Sequence, residues 1–283
     1  MRIESVRESL TWTTTSKLPV FYINRERDVA RRQLIEFELK NANLSGIRIP
    51  AIGGRAIPGD LRAYFDIDAT NLTAGEMGCY ASHLLALSAL VANRLPWALV
   101  LEDDALLPAD FAADMQSILA NLPSNWDLVH LCRDPCRAVK AVAQLETGKT
   151  LVRYSRVPAG AVGYLMSSAG AVKFLAPKKR VWPIDTDFRR PWVFNLEVFG
   201  VTPFLIGHDD TRESAILSYG ERARGRRGLS RPNREYWSGN PLHTVAGARF
   251  NAQRLGLGAW LRCWVSNTQT KLRRMLPLGA ANA

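Results

Sequence analysis

Long apolar runs are missing from this 283-residue chain. No stretch approaches the ~20 consecutive apolar residues that a membrane-spanning helix needs. The expectation is a soluble or peripheral protein. Cysteine is scarce: Cys79, Cys132, Cys136 and Cys263 are the full set. Their spacing suggests no disulfide framework, so a reducing compartment is expected. Cys132 and Cys136 stand four apart with no second pair to complete a zinc site, and read as thiols rather than ligands. Residues 1–18 carry charges throughout and no apolar centre, which reads as a lead-in rather than a secretory signal. There is no internal repeat and no recognisable nucleic-acid-binding motif, and no nucleic-acid partner is expected.

Acidic residues are nearly absent from one end. Residues 222–283 hold twelve Lys or Arg and a single acid, Glu235, while the other 25 bases and 25 acids balance in residues 1–221. A neutral body of 19–221 and a basic region of 222–283 follow as separate units. The basic end points to an anionic partner surface. Residues 245–276 read as one or two amphipathic helices. There Trp260, Leu261, Trp264 and Val265 stand among Arg254, Arg262, Lys271 and Arg273. That mixture suits an anionic membrane surface, and equally a helix packed on the body with a solvated basic face.

With 47% hydrophobic and 22% charged residues the chain is composed to fold. Residues 95–110, LPWALVLEDDALLPAD, organise the body. The run from Trp97 to Leu101 has no polar interruption and is bracketed by Pro96 and Pro108, which favours a buried strand of a parallel sheet over a helix. It ends on Glu102, Asp103 and Asp104. Ligands of open α/β sheets bind at the carboxyl ends of strands. Three adjacent carboxylates repel one another unless something positive sits among them. A hard divalent cation carrying nucleotide phosphates answers that; a solvated acidic turn is the plainer alternative.

Around this strand the pattern alternates. Residues 19–24, PVFYIN, read as a strand and lead into a charged helix from residue 25, with Arg27, Arg31 and Arg32 near the strand's end, within reach of a phosphate. Residues 47–52 read as the next strand, ended by Gly53 and Gly54. Thr73 and Glu76 form a capping-box pattern opening a helix over 73–92. His83 within it reads as a hydrogen-bonded structural residue more readily than as a ligand. Further elements are a helix over 111–122, a strand over 126–131, a strand or loop border over 149–154, a strand within 158–168 and a helix from 168. Residues 183–188, PIDTDF, read as a loop with two carboxylates. A strand is expected at VTPFLI, residues 201–206, before His208, Asp209 and Asp210. The whole predicts an α/β fold with a mostly parallel sheet flanked by helices.

Three segments together resemble the family 25 glycosyltransferases, the group containing bacterial lipooligosaccharide galactosyltransferases. They are VFYINRERDVARR (20–32), LTAGEMGCYASH leading to LPWALVLEDD (72–104), and GAVGYLMSSAGAVKFL followed by PIDTDF (160–188). The resemblance covers residues 19–217. It implies a GT-A-like, Rossmann-type fold, a nucleotide-sugar donor and a saccharide acceptor. The natural acceptor is a lipid-linked oligosaccharide, the favoured donor is UDP-galactose, and the cofactor is manganese or magnesium. It places Asn24, Arg27, Glu76, Ser82, His83, Glu102 and Asp103 at the donor, with Gly75 and Gly78 in the same segment. It puts Asp104 and Asp103 on the metal. His208, at the end of the late strand, is an extra candidate ligand read from its position, and His208 to Asp210 read equally well as a plain loop. The resemblance places Asp185 at the donor sugar or the acceptor. An inverting transfer needs a carboxylate base opposite the leaving group, for which Asp185 is the candidate, with Asp187 and Glu197 behind it. The implied setting is the cytoplasmic face of a bacterial inner membrane. A non-catalytic sugar-binding or scaffold protein of the same fold is the rival.

Overall fold

The computed structural model describes residues 18–66, 72–209 and 241–275. Residues 1–17 and 210–240 lie outside that description, and with them the expected lead-in and the boundary near residue 221. Eight strands form one sheet in the order β2-β1-β3-β8-β5-β9-β7-β6. They are β1 (Val20–Asn24), β2 (Ile47–Pro50), β3 (Trp97–Glu102), β5 (Leu128–His130), β6 (Val139–Gln144), β7 (Thr150–Tyr154), β8 (Gly163–Ser167) and β9 (Val198–Thr202). β4 (Ala105–Leu106) and β10 (Gly207–His208) pair separately. The pairings send six of the eight strands one way and turn only β8 and β7 against them. The expected fold, a mostly parallel α/β sheet with helices on both faces, is the one observed.

Alternation along β1 sends Phe21 and Ile23 into one apolar core and Val20 and Tyr22 into the other, so the strand is buried on both faces. β3 does the same, and Ala98 to Leu101 are wholly buried. Helices α1 (Val29–Asn41) and α4 (Phe111–Asn121) cover one face. Helix α3 (Ala74–Ala92) covers the other, beside α5 (Ser168–Phe174). Residues 80–90 of α3 are buried without a break, because the helix is enclosed by the sheet and neighbouring helices. A helix apolar all round belongs in such a place. The capping box at Thr73 and Glu76 is formed, and fixes where α3 starts.

The short elements depart from expectation. Residues 183–188 are not a loop: Ile184–Phe188 is a helical turn, α6, following α2 (Gly59–Arg62) in chain order and preceding α7 (Pro191–Phe194). The late strand is β9, Val198–Thr202, several residues earlier than expected, because Pro203 lacks the N–H a sheet strand must donate. The hairpin of β6 and β7 carries the sheet's far edge. Helices α8 (Pro241–Leu255) and α9 (Leu257–Met275) dock there. Asn267 Oδ1 accepts from the Ala138 amide at 2.8 Å, Lys140 Nζ donates to the Leu255 carbonyl at 2.9 Å, and Asn251 Nδ2 donates to the Ser155 carbonyl at 2.9 Å.

Candidate active site

Parallel pairing of β1 with β3 aligns Ile23 with Glu102, so the next residues, Asn24 and Asp103, emerge side by side at the carboxyl ends of adjacent strands. Asn24 Nδ2 donates to Asp103 Oδ2 at 2.7 Å. Arg31, on the first turn of α1, donates from Nε to Asp103 Oδ1 at 2.7 Å, and its NH2 group lies 2.9 Å from Asp104 Oδ2. The positive charge that three adjacent acids require is therefore partly supplied by the chain. Burial works against the Arg31 charge, but its hydrogen bonds and attraction to Asp103 and Asp104 outweigh that and raise its pKa. One arginine against Glu102, Asp103 and Asp104 still leaves the turn negative.

Asp104 is the unsettled member. Burial, and then repulsion from Glu102, pushes its carboxyl up to about 6, despite Arg31. Its Oδ1 is buried, and no donor among the described residues reaches it. A buried carboxylate oxygen without a partner is costly. Asp103 differs, because both its oxygens already accept hydrogen bonds. A hard divalent cation fits this donor set, with Asp104 Oδ1 as the open contact and Asp103 reachable only through lone pairs its partners leave over.

These acids line an open cleft of about 690 Å³, counting its mouth, together with Ile23, Asn24, Arg31, Gly75, Ser82 and His83. Its far wall is the start of α3 against the loop after β2. That approach requires glycine. A Cβ on Gly54 would stand 1.5 Å from the Ala74 carbonyl oxygen, and one on Gly78 would stand 2.4 Å from that of Ile52. Ser82 Oγ ties the same contact, accepting from the Ile52 amide at 2.8 Å and donating to the Gly78 carbonyl at 2.7 Å. His83 is fully buried, with Nδ1 3.0 Å from the Tyr164 hydroxyl and Nε2 3.3 Å from Glu102 Oε1.

The structure thus brings Asn24, Ser82, His83, Glu102, Asp103 and Asp104 together. Glu76 is spent on the helix cap. Arg27 is not brought in: its side chain is 66% exposed beside Asp28, because residues 25–28 form a turn before α1 begins. Arg31 takes the place expected of it. Asp187 is not brought in either. It is buried under α3, accepting from the Tyr80 hydroxyl at 2.8 Å and from Arg190 at 2.5 Å. Glu197 sits at the amino end of β9, paired with Arg153 at 2.6 Å and with Arg254. Asp185 does not line the cleft, but its charge is felt at Cys79. His208 lies beside the acidic turn through the backbone, paired with Ala105, while the Asp209 amide donates to the Asp104 carbonyl at 3.1 Å. Two members went unsuspected, Cys79 and Tyr164. Burial, and then Glu102, pushes the Cys79 thiol upward.

Residues 17–188 match the family described as glycosyltransferase family 25 (LPS biosynthesis protein). The chain belongs to this family. Among its relatives is the probable inactive glycosyltransferase 25 family member 3 of Rattus norvegicus, 26% identical over 215 residues, covering 66% of this chain and 37% of the relative. Another is procollagen galactosyltransferase 1 of Danio rerio, 28% identical over 167 residues, covering 56% and 26%. A glycosyltransferase 25 family member of Drosophila melanogaster is 27% identical over 214 residues, covering 66% and 35%. The chain spans about a third or less of these relatives' lengths, and they include proteins named inactive beside one named a galactosyltransferase.

Proposed function

We propose that this family 25 chain is a catalytically competent transferase, moving a sugar, with galactose favoured, from a nucleotide diphosphate donor to a saccharide acceptor. The observation that carries this is the acid turn at the end of β3. Its Asp104 keeps a buried oxygen without a donor among the described residues and is raised to about 6 by burial and Glu102. A scaffold gains nothing from holding such a group. A divalent ion bound at Asp104 would neutralise charge on the departing diphosphate. The chain's own residues do the rest. Arg31 and Asn24 hold Asp103 in one orientation. His83, clamped between Tyr164 and Glu102, fixes the Glu102 carboxylate at the cleft wall. The glycine contact between the 53–54 loop and α3 keeps that wall close. Asp185 remains the proposed base for the acceptor hydroxyl, as the acid of α6 whose charge reaches the cleft.

The acceptor is proposed to be a lipid-linked oligosaccharide of the lipopolysaccharide class, met at the cytoplasmic face of an inner membrane. Support comes from α9. Leu257, Leu261, Trp264 and Val265 fall on one helix face, all between 46% and 65% exposed, with exposed Arg262 and Lys271 nearby. Among the described residues no helix is long and apolar enough to cross a membrane. The test of catalysis is a panel of nucleotide sugars incubated with saccharide acceptors, with and without manganese, for the wild type and Asp104→Ala. Metal-dependent turnover of one donor, lost in the variant, is expected. A folded protein that neither binds nor turns over any donor would favour the scaffold reading. Salt-sensitive binding to anionic vesicles tests the membrane contact.

A further inference from the structure

Cys79 and His83 are four residues apart on α3 and present side chains to the same side of the helix. Glu102, the last residue of β3, faces them across the cleft. The thiol sulfur, an imidazole nitrogen and a carboxylate oxygen of these three all lie within 4.8 Å of one another. We infer that Cys79, His83 and Glu102 form a binding site for a thiophilic divalent cation of the zinc class, separate from the hard-cation position at Asp104.

Three features carry this beyond proximity. The first is distance. Zinc holds nitrogen and oxygen at about 2.0–2.1 Å in a tetrahedron, which sets those two ligands about 3.3 Å apart. His83 Nε2 and Glu102 Oε1 are 3.3 Å apart. The second is the support behind the ligand. A metal-bound histidine is normally fixed by a hydrogen bond from its other ring nitrogen. His83 Nδ1 already lies 3.0 Å from the Tyr164 hydroxyl, within a fully buried ring environment. The third is access. All three ligands line the open cleft, so a fourth position stays free for water or a ligand oxygen, the pattern of three-ligand zinc sites.

The proton balance is simple. Binding replaces the His83–Glu102 hydrogen bond with two metal bonds. The imidazole proton moves from Nε2 to Nδ1, where it is donated to the Tyr164 oxygen. The Cys79 thiol releases its proton to solvent, so one proton leaves per cation bound. A mixed sulfur, nitrogen and oxygen set selects zinc-class cations over magnesium or manganese, which favour oxygen.

Cobalt(II) is the probe, added to the full-length reduced protein, because a thiolate-to-cobalt charge-transfer band reports sulfur coordination directly. One cobalt per chain with that band is expected. The band should vanish in Cys79→Ser and Cys79→Ala, each checked for folding by circular dichroism. It should persist in Asp104→Asn, in Cys136→Ser, whose sulfur is exposed, and in Cys132→Ser, whose sulfur lies near His130. Tyr164→Phe should weaken cobalt binding about 10–100-fold with the band retained at saturation. A folded wild type without a sulfur band would overturn the site. So would a band that survives both Cys79 variants, or one lost with Asp104→Asn or with either control cysteine.

Discussion

Asp104 and Asp187 are both acids beside an arginine, Asp187 wholly buried and Asp104 half-buried with its side chain 19% exposed, and burial raises the pKa of both. Their surroundings differ. Under α3, Asp187 has a donor for each oxygen, the Tyr80 hydroxyl and Arg190. At the end of β3, Asp104 shares Arg31 with Asp103 and keeps one oxygen that no donor among the described residues reaches. The first acid is bound into the fold as a completed network. The second is held incomplete at the lip of a cleft. Burial alone does not rank them, because the deeper acid is the satisfied one; the supply of donors is what sets the two apart.

That contrast can be broken by substitution. The largest effect is expected from Asp187→Ala, which removes the buried carboxylate that accepts from Arg190 and from the Tyr80 hydroxyl. Loss of one partner from a buried pair costs about 3–5 kcal/mol, to be read from denaturant unfolding. Asp104→Asn should act the other way on function, lowering transfer turnover about 10²–10³-fold in a protein that stays folded. Its stability should rise. A carboxyl pushed up to about 6 when folded, against 3.8 otherwise, binds its proton more tightly in the native state. Its contribution is complete below about pH 4 and is lost as pH rises through 6, so the ionised group is a burden above that. Removing it should stabilise metal-free protein at pH 7 by up to about 3 kcal/mol, a gain that disappears near pH 4. The smallest effect is expected at the turn before α1. Arg27→Ala should change donor affinity less than about twofold, as an exposed side chain does. Arg31→Ala should weaken it at least about tenfold, as for a half-buried charge partner held by two carboxylates. Equal effects would mean that the arginine nearest the acids is not the one that matters.

Much of this was legible in the chain. The unbroken apolar run before Glu102, the capping box at Thr73 and the strand at residues 20–24 each carry a strong local signal, and each forms as expected. The close wall was hidden, because Gly54 and Gly78 matter only through a contact between a loop and a helix 24 residues away. Arg31 could not be told from Arg27 until the turn at 25–28 set where α1 begins. Asp187 looked catalytic in PIDTDF because sequence shows an acid but not its donors, Tyr80 being 107 residues away. Cys79 and Tyr164 join the site through α3 and β8, elements whose buried residues look alike along the chain.

The most direct measurement is thermal melting at pH 7 of the wild type and Asp104→Asn, each alone and with manganese plus UDP. Asp104→Asn should melt higher than the wild type when both are ligand-free, while only the wild type should gain stability from manganese and UDP together. A variant that melts no higher and is stabilised by manganese and UDP as strongly as the wild type would contradict this.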